Sequence, residues 1–207
     1  MRCVIIGGAP IGNYREVSAY IEDGDFIIAC DGGLRHMDAL GKSPSLIVGD
    51  FDSHPRPKTE IETIALPCEK DDTDTVFAVR EAVRRGYRDF LLLGVTGGRL
   101  DHTLGNVSIL LYLDSHGCTG MIVDDTSEME IVSRDPVTIP DTYAYFSLLN
   151  ISGKARGVTI MGAKYPLADA VIDCEYQYGI SNEVSPGTSA TVTVRDGKLL
   201  LCKIRHE

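Results

Sequence analysis

Phe90-Leu91-Leu92-Leu93-Gly94-Val95-Thr96-Gly97-Gly98-Arg99-Leu100-Asp101-His102-Thr103 joins three signals in fourteen residues. A short, unbroken apolar run is followed by a glycine-rich turn and then by the start of a segment with helical spacing. Apolar runs without alternation belong to strands buried on both faces, the kind from which parallel sheets are made. Similar runs at 3–6, 26–29, 46–48 and 121–123 are each followed by turn residues. Helical spacing appears between them at 75–85, where Val76, Val79 and Val83 recur beside Arg80, Glu81 and Arg84, and again at 103–113. Alternating strand and helix signals predict an N-terminal α/β domain with a mostly parallel sheet.

Beyond about residue 125 the pattern changes. Short strand-like stretches at 130–132, 144–149, 157–161, 190–194 and 199–204 are separated by Pro, Gly, Asp or Asn. They predict a small antiparallel β domain. Asp196-Gly197, between 191–194 and 199–201, carries the signature of a tight hairpin turn. The expected division is an α/β catalytic, ATP- and metal-binding domain over 1–127 and a β domain over 128–207.

Composition limits the function classes. With 43% hydrophobic and 24% charged residues in 207, the chain has the make-up of a folded globular protein. Thirty acidic against twenty basic residues leave a net charge of −10, which opposes a broad nucleic-acid surface and favours cationic ligands or divalent metals. No apolar run approaches the ~20 residues that cross a bilayer. The N-terminal apolar stretch ends at Gly7, too short for a secretory signal, so the expected setting is cytoplasmic. Six cysteines, at 3, 30, 68, 118, 174 and 202, form no C-x-x-C pair and read as reduced thiols.

The chemistry gathers in two acidic clusters. Gly49-Asp50-Phe51-Asp52-Ser53 follows the run 46–48 and so lies at the C-terminal end of a strand, where ligands of α/β sheets collect. In an extended continuation Asp50 and Asp52 share a face and converge on one point, an arrangement suited to Mg²⁺. Turn formation is the competing explanation for Asp and Ser in such a place. Glu69-Lys70-Asp71-Asp72-Thr73-Asp74-Thr75 packs four acids around one lysine just before a helix. Asp74 or Thr73 as N-cap accounts for one acid and not for four. A solvated acidic loop is the alternative to a third metal carboxylate, with Lys70 contacting a phosphate as a point charge. In the opening stretch, Gly97 and Gly98 let backbone N–H groups approach an anion at a helix N-terminus, and Arg99 adds a bidentate grip. The stretch is neither a Walker motif nor G-x-G-x-x-G, and glycines there also serve tight turns.

Five separated motifs occur in order: Asp31-Gly32-Gly33, Gly49-Asp50-Phe51-Asp52-Ser53, Asp71-Asp72-Thr73-Asp74, Gly97-Gly98-Arg99-Leu100-Asp101-His102 and Ser181-Asn182-Glu183-Val184. With Gly162-Ala163-Lys164-Tyr165-Pro166-Leu167 they make the chain resemble the thiamine pyrophosphokinase family over nearly its whole length. The resemblance implies an α/β domain followed by a thiamine-binding β-sandwich, ATP and thiamine as substrates, Mg²⁺ as cofactor, and a homodimer with intersubunit active sites. It also implies the diphosphate transfer that yields thiamine diphosphate and AMP. By the same resemblance Asp50, Asp52 and Asp74 are metal ligands and Asp71 a fourth. Asp31, Gly32, Gly33, Gly97, Gly98, Arg99 and Asn106 bind nucleotide, joined by Lys70 from the charge argument above. Asp101, Tyr165, Ser181 and Asn182 meet thiamine, Tyr165 standing where some relatives carry tryptophan. Asp74, Arg99 and Asp101 are the catalytic set, Asp101 orienting or deprotonating the hydroxyl. His102 is either a general base or a local helix-start residue. The rival readings are a metal-dependent phosphohydrolase and a non-catalytic thiamine- or nucleotide-binding protein.

Overall fold

The computed structural model describes residues 1–52, 56–69 and 71–205, which form two compact units, Met1–Asp125 and Thr126–Glu207. In the first unit the order is β1 (Cys3–Ile6), α1 (Tyr14–Ser18), β2 (Phe26–Cys30), a 3-10 turn (Asp31–His36), α2 (Met37–Leu40), β3 (Leu46–Gly49), β4 (Glu62–Ala65), α3 (Asp74–Arg84), β5 (Asp89–Leu93), α4 (Leu100–Ser115) and β6 (Thr119–Val123). The strands lie in the order β6-β5-β1-β2-β3-β4, and every pair is parallel. Each residue of β1 and β3, and all but the first of β2 and β5, is buried. That explains the unbroken apolar runs, because helices cover both faces and neither face needs a polar row.

The chain builds outward from β1 through β2 and β3 to β4, then returns to place β5 on the other side of β1. The strand order therefore reverses between β1 and β5. In open α/β sheets the loops leaving the strands diverge at such a point and open a crevice. β4, which the apolar pattern did not reveal, is the edge strand; its Glu62-Thr63-Ile64-Ala65 is only partly covered.

The second unit contains β7 (Ser127–Val132), β8 (Val137–Pro140), β9 (Tyr145–Leu149), β10 (Lys154–Met161), β11 (Leu167–Asp173), β12 (Gly179–Asn182), β13 (Ser189–Thr193) and β14 (Leu199–Ile204). Antiparallel pairing gives one layer in the order β12-β9-β14-β7 and another in the order β11-β10-β13-β8. Phe146, Leu148, Leu199 and Leu201 of one layer and Ile139, Val158, Ile160, Ala190 and Val192 of the other share one core, so the unit is a β-sandwich. The hairpin expected at Asp196-Gly197 does not form. β13 pairs with β10 and β8, whereas β14 pairs with β7 and β9. Both strands send alternate apolar residues into the same core from opposite sides, and alternation cannot tell facing strands from paired ones. The turn passes the chain from layer to layer, and Gly197 is required there: its φ is +93° and a Cβ would fall 2.4 Å from the Lys154 carbonyl oxygen.

Candidate active site

Sheet register brings the first group of site residues together. In the parallel pair β2–β3, Cys30 lies opposite Val48, so the residues that follow, Asp31 and Gly49, emerge side by side. Gly49 permits this, because a Cβ at 49 would lie 2.6 Å from the Asp31 Cβ. Asp31, Asp50 and Asp52 each offer a carboxylate oxygen, and these oxygens lie within 4.8 Å of one another. Asp31 is buried, Asp50 half-buried and Asp52 exposed, so the group opens from the sheet end toward solvent. Asp50 and Asp52 do converge, though by a different route from strand alternation. Phe51 between them is left-handed, with φ +57°, and the Asp52 N–H donates to Asp50 Oδ1 at 3.3 Å. The chain turns back at Phe51 at a cost of about 1–2 kcal/mol for a residue with a Cβ.

Three all-oxygen donors of like charge at this spacing fit a hard divalent cation, which takes carboxylates together with water and phosphate oxygens. Asp74 and Asp71 stand outside this three-carboxylate group. Asp74 is the first residue of α3, and Thr73 is the N-cap, its side chain accepting from the Val76 N–H at 3.3 Å. Asp74 nonetheless lies close to the same strand end. Burial pushes the Cys30 thiol up to about 12, and the charges of Asp74 and Asp31 push it the same way, while a hydrogen bond with Thr75 opposes them. Asp72 is paired with Arg80, and Asp71 is exposed. Ser53 and Lys70 lie outside the described residues.

A cleft of about 230 Å³ occupies the reversal point between β1 and β5. One wall is Gly8, Ala9 and Pro10, following β1; the other is the loop after β5 with Gly97, Gly98 and Arg99, and Thr75, His102 and Asn106 close the remainder. Gly8 approaches Gly32 so closely that a Cβ on it would sit 2.9 Å from the Gly32 Cα, which joins this wall to the carboxylate group. Gly33 also has a packing role, since a Cβ there would fall 2.0 Å from the Ile6 carbonyl oxygen. The loop after β5 is held from inside. Gly97 and Gly98 have φ of +81° and +66°, the Gly97 N–H donates to Thr103 Oγ1 at 3.1 Å, and buried Asn106 donates from Nδ2 to the Val95 carbonyl at 2.7 Å. Helix α4 begins at Leu100, three residues before the sequence pattern placed it. Arg99, its N-cap residue, grips Asp101 through Nε at 3.1 Å and Nη2 at 2.6 Å, both side chains being exposed. The Arg99 hydrogen bond holds the Asp101 carboxyl down at about 2. Residues 8–10 and Thr75 were missed in the sequence; the available signal was the Gly7-Gly8 pair directly after an apolar run.

In the second unit, Tyr165, Ser181 and Asn182 form one neighbourhood. Buried Asn182 accepts the Tyr165 N–H at 3.0 Å and the Glu183 N–H at 2.9 Å through Oδ1, and donates from Nδ2 to the Tyr165 carbonyl at 2.8 Å. It clamps the loop that presents Tyr165, whose ring is exposed with Lys164 Nζ 5.5 Å from its centroid. Ser181 is left-handed at φ +56° and exposed, anchored by its N–H to Ser147 Oγ at 3.0 Å.

Comparison with known proteins places this geometry in context. Residues 17–122 match the family model described as the catalytic domain of thiamin pyrophosphokinase, and residues 129–199 match its vitamin B1 binding domain. The thiamine pyrophosphokinase of Bacillus subtilis (strain 168) is 28% identical over 188 residues, covering 87% of this chain and 88% of that protein. Thiamin pyrophosphokinase 1 of Caenorhabditis elegans is 24% identical over 225 residues, 99% of this chain and 89% of that protein. The crystal structure of thiamin pyrophosphokinase from Geobacillus thermodenitrificans superposes with a TM-score of 0.86 at 29% identity, covering 100% of this chain and 99% of that one.

Proposed function

The chain belongs to the thiamin pyrophosphokinase family, and from that premise we propose how its residues divide the work. The enzyme is an ATP:thiamine diphosphotransferase; the phosphohydrolase and binding-protein alternatives are not favoured. One observation carries the assignment of roles: three carboxylates converge beside a glycine-walled cleft at the point where the strand order reverses.

In this reading Asp31, Asp50 and Asp52 hold Mg²⁺, with Asp74 the next carboxylate and Asp71 the outermost. The metal supplies positive charge to phosphate oxygens, lowering the cost of charge that builds during diphosphoryl transfer. The chain's own groups bind and orient. The walls at residues 8–10 and 97–99 cradle the nucleotide, and Arg99 exchanges its carboxylate partner for phosphate oxygens, a swap its planar fork makes without new geometry. Lys70, Gly32 and Gly33 belong to the same nucleotide side, the glycines by letting backbones approach. Asp101, held at about 2 by Arg99 in the free enzyme, is released when Arg99 turns to phosphate and serves as an acceptor that orients the thiamine hydroxyl. Asn106 acts through the Val95 carbonyl to fix the loop. Over residues 128–207, Tyr165 offers a ring face and Ser181 a hydroxyl to thiamine, while Asn182 positions Tyr165. A homodimer with intersubunit sites and a cytoplasmic setting complete the proposal; six free cysteines support the latter. No helix among the described residues is long and apolar enough to cross a membrane.

The decisive assay incubates pure protein with thiamine, ATP and MgCl₂. AMP and thiamine diphosphate are expected in equal amounts. ADP with thiamine monophosphate, or phosphate release independent of thiamine, would overturn the reading.

A further inference from the structure

We propose that Asp125 is a positioning residue for the nucleotide cleft, strapping one of its walls while Asp124 straps the other. Both aspartates directly follow β6, the strand beside β5, which in turn lies beside β1. Asp124 Oδ2 accepts the Thr96 hydroxyl at 3.1 Å, and Thr96 is a buried residue of the loop after β5. Asp125 reaches one strand further. Its Oδ2 accepts the Gly12 N–H at 2.7 Å and its Oδ1 the Asn13 N–H at 2.9 Å, so a single carboxylate chelates two successive amides of the loop after β1.

Gly12 is matched to this contact, because a Cβ on it would lie 2.8 Å from Asp125 Oδ2. The near end of the same loop is tied by backbone bonds, Gly7 N–H to the Leu93 carbonyl and Ala9 N–H to the Gly94 carbonyl, both 2.8 Å. Asp125 secures the far end, where Asn13 also caps α1 by accepting the Glu16 N–H at 3.3 Å. Ala9, at the near tie, and Pro10, between the two ties, face the cleft. Without the carboxylate Ile11 and Tyr14 still pack against the core, but the Gly12 and Asn13 amides lose their acceptor, and nucleotide binding has to order the backbone there. Loss of order over one or two backbone residues weakens nucleotide binding about tenfold or more.

This inference rests on the reading of the cleft as the ATP site, and the experiment keeps the two apart. Binding of Mg²⁺ with α,β-methylene-ATP, in which the bond to be broken is a carbon bridge, is measured by calorimetry. Wild type, Asp125→Ala, Asp125→Asn, Gly12→Ala and the Asp125→Ala/Gly12→Ala double variant are compared, with amide exchange at Gly12 and Asn13 and steady-state kinetics for both substrates. If wild type does not bind, the site reading itself fails. Given wild-type binding, Asp125→Ala should lose protection at both amides and raise Kd and KM for ATP about tenfold, with kcat and KM for thiamine within about twofold of wild type. Asp125→Asn should fall between, since its one carbonyl oxygen replaces two acceptors. Gly12→Ala should weaken ATP binding in the same way, and the double variant should be no worse than the stronger single. ATP affinity within twofold of wild type in Asp125→Ala, or full additivity in the double variant, would overturn the proposal.

Discussion

Asp31→Asn changes one oxygen to nitrogen at a buried position and alters little in shape, so its effect reports charge. The oxygens of Asp31, Asp50 and Asp52 lie within 4.8 Å of one another. At that spacing two unit charges repel by about 3.5 kcal/mol at an effective dielectric of 20, and by about 0.9 kcal/mol in water. Asp31→Asn removes two of the three pairs. The relief lies between about 2 and 7 kcal/mol, toward the lower end because Asp52 is exposed and its charge well screened. Exchanging a buried carboxylate for an amide returns about 1–3 kcal/mol through weaker hydrogen bonding. A net gain of about 1–3 kcal/mol without metal corresponds to a rise in Tm of roughly 2–10 °C for a chain of this size.

Metal reverses the order. A ligand at a hundred times its Kd stabilises by about 2.7 kcal/mol, an increment the variant should largely lose with one ligand charge missing. Thermal melts in EDTA and in MgCl₂ give both quantities from one plate. In EDTA the variant should melt above wild type, and in MgCl₂ the gap should close or invert. Equal Mg²⁺ increments in the two proteins would show that Asp31 is no ligand, and a lower Tm for the variant in EDTA would show that repulsion among the three carboxylates is not the governing effect.

Arg99→Lys should lower kcat/KM for ATP by tenfold or more, because the ammonium keeps the charge and loses the two-pronged grip seen on Asp101; unchanged kinetics would exclude bidentate phosphate contact. Asp101→Asn should lower activity without moving the acid limb of the pH profile of kcat/KM, which reports the free enzyme in which Arg99 still grips Asp101. A carboxyl held at about 2 by Arg99 stays ionised until pH falls toward that value, so its contribution is present above the ordinary carboxyl range and lost only near pH 2. Disappearance of a limb between pH 5 and 7 in that variant would identify Asp101 as the base. Mixing inactive Asp52→Asn subunits with inactive Tyr165→Ala subunits should restore roughly a quarter of wild-type activity if each site draws on two subunits of a symmetric dimer, and none if each subunit builds its own.

What the sequence revealed, and what it hid, follows from how far each determinant reaches along the chain. β1, β2, β3, β5 and β6 were legible as apolar runs because burial on both faces removes the polar row. β4 and β12 were not: Glu62-Thr63-Ile64-Ala65 is an exposed edge, and Gly179-Ile180-Ser181-Asn182 contains a left-handed residue that breaks alternation. At the site, Asp50 and Asp52 could be chosen from local pattern, although the turn at Phe51 that joins them could not. The resemblance places Asp31 with the nucleotide; its place among the carboxylates depends on the β2–β3 register, which no window around residue 31 contains. The strap from Asp125 to Gly12 spans 113 positions and leaves no local trace.

The polar residues of the last motif separate by whether their groups are already engaged, and that separation gives opposite expectations for neighbours. Asn182 uses its side-chain oxygen on two N–H groups and its amide on a carbonyl, all backbone, in a buried setting. Asn182→Ala strips three bonds and leaves buried polar groups wanting partners, which costs about 2–4 kcal/mol and roughly 5–15 °C in Tm. Its effect on thiamine comes second-hand, through disorder of the loop bearing Tyr165. Ser181 differs in both respects: its φ of +56° suits glycine, and its exposed side chain is bypassed by the anchoring bond, which uses the backbone N–H. Ser181→Gly relieves about 1 kcal/mol of left-handed strain and keeps that anchor, so Tm should hold or rise by a few degrees while KM for thiamine climbs several-fold. Calorimetric melts paired with thiamine titrations separate the cases. A Ser181→Gly protein that loses stability and keeps its thiamine KM would invert the two roles and place the substrate contact on Asn182.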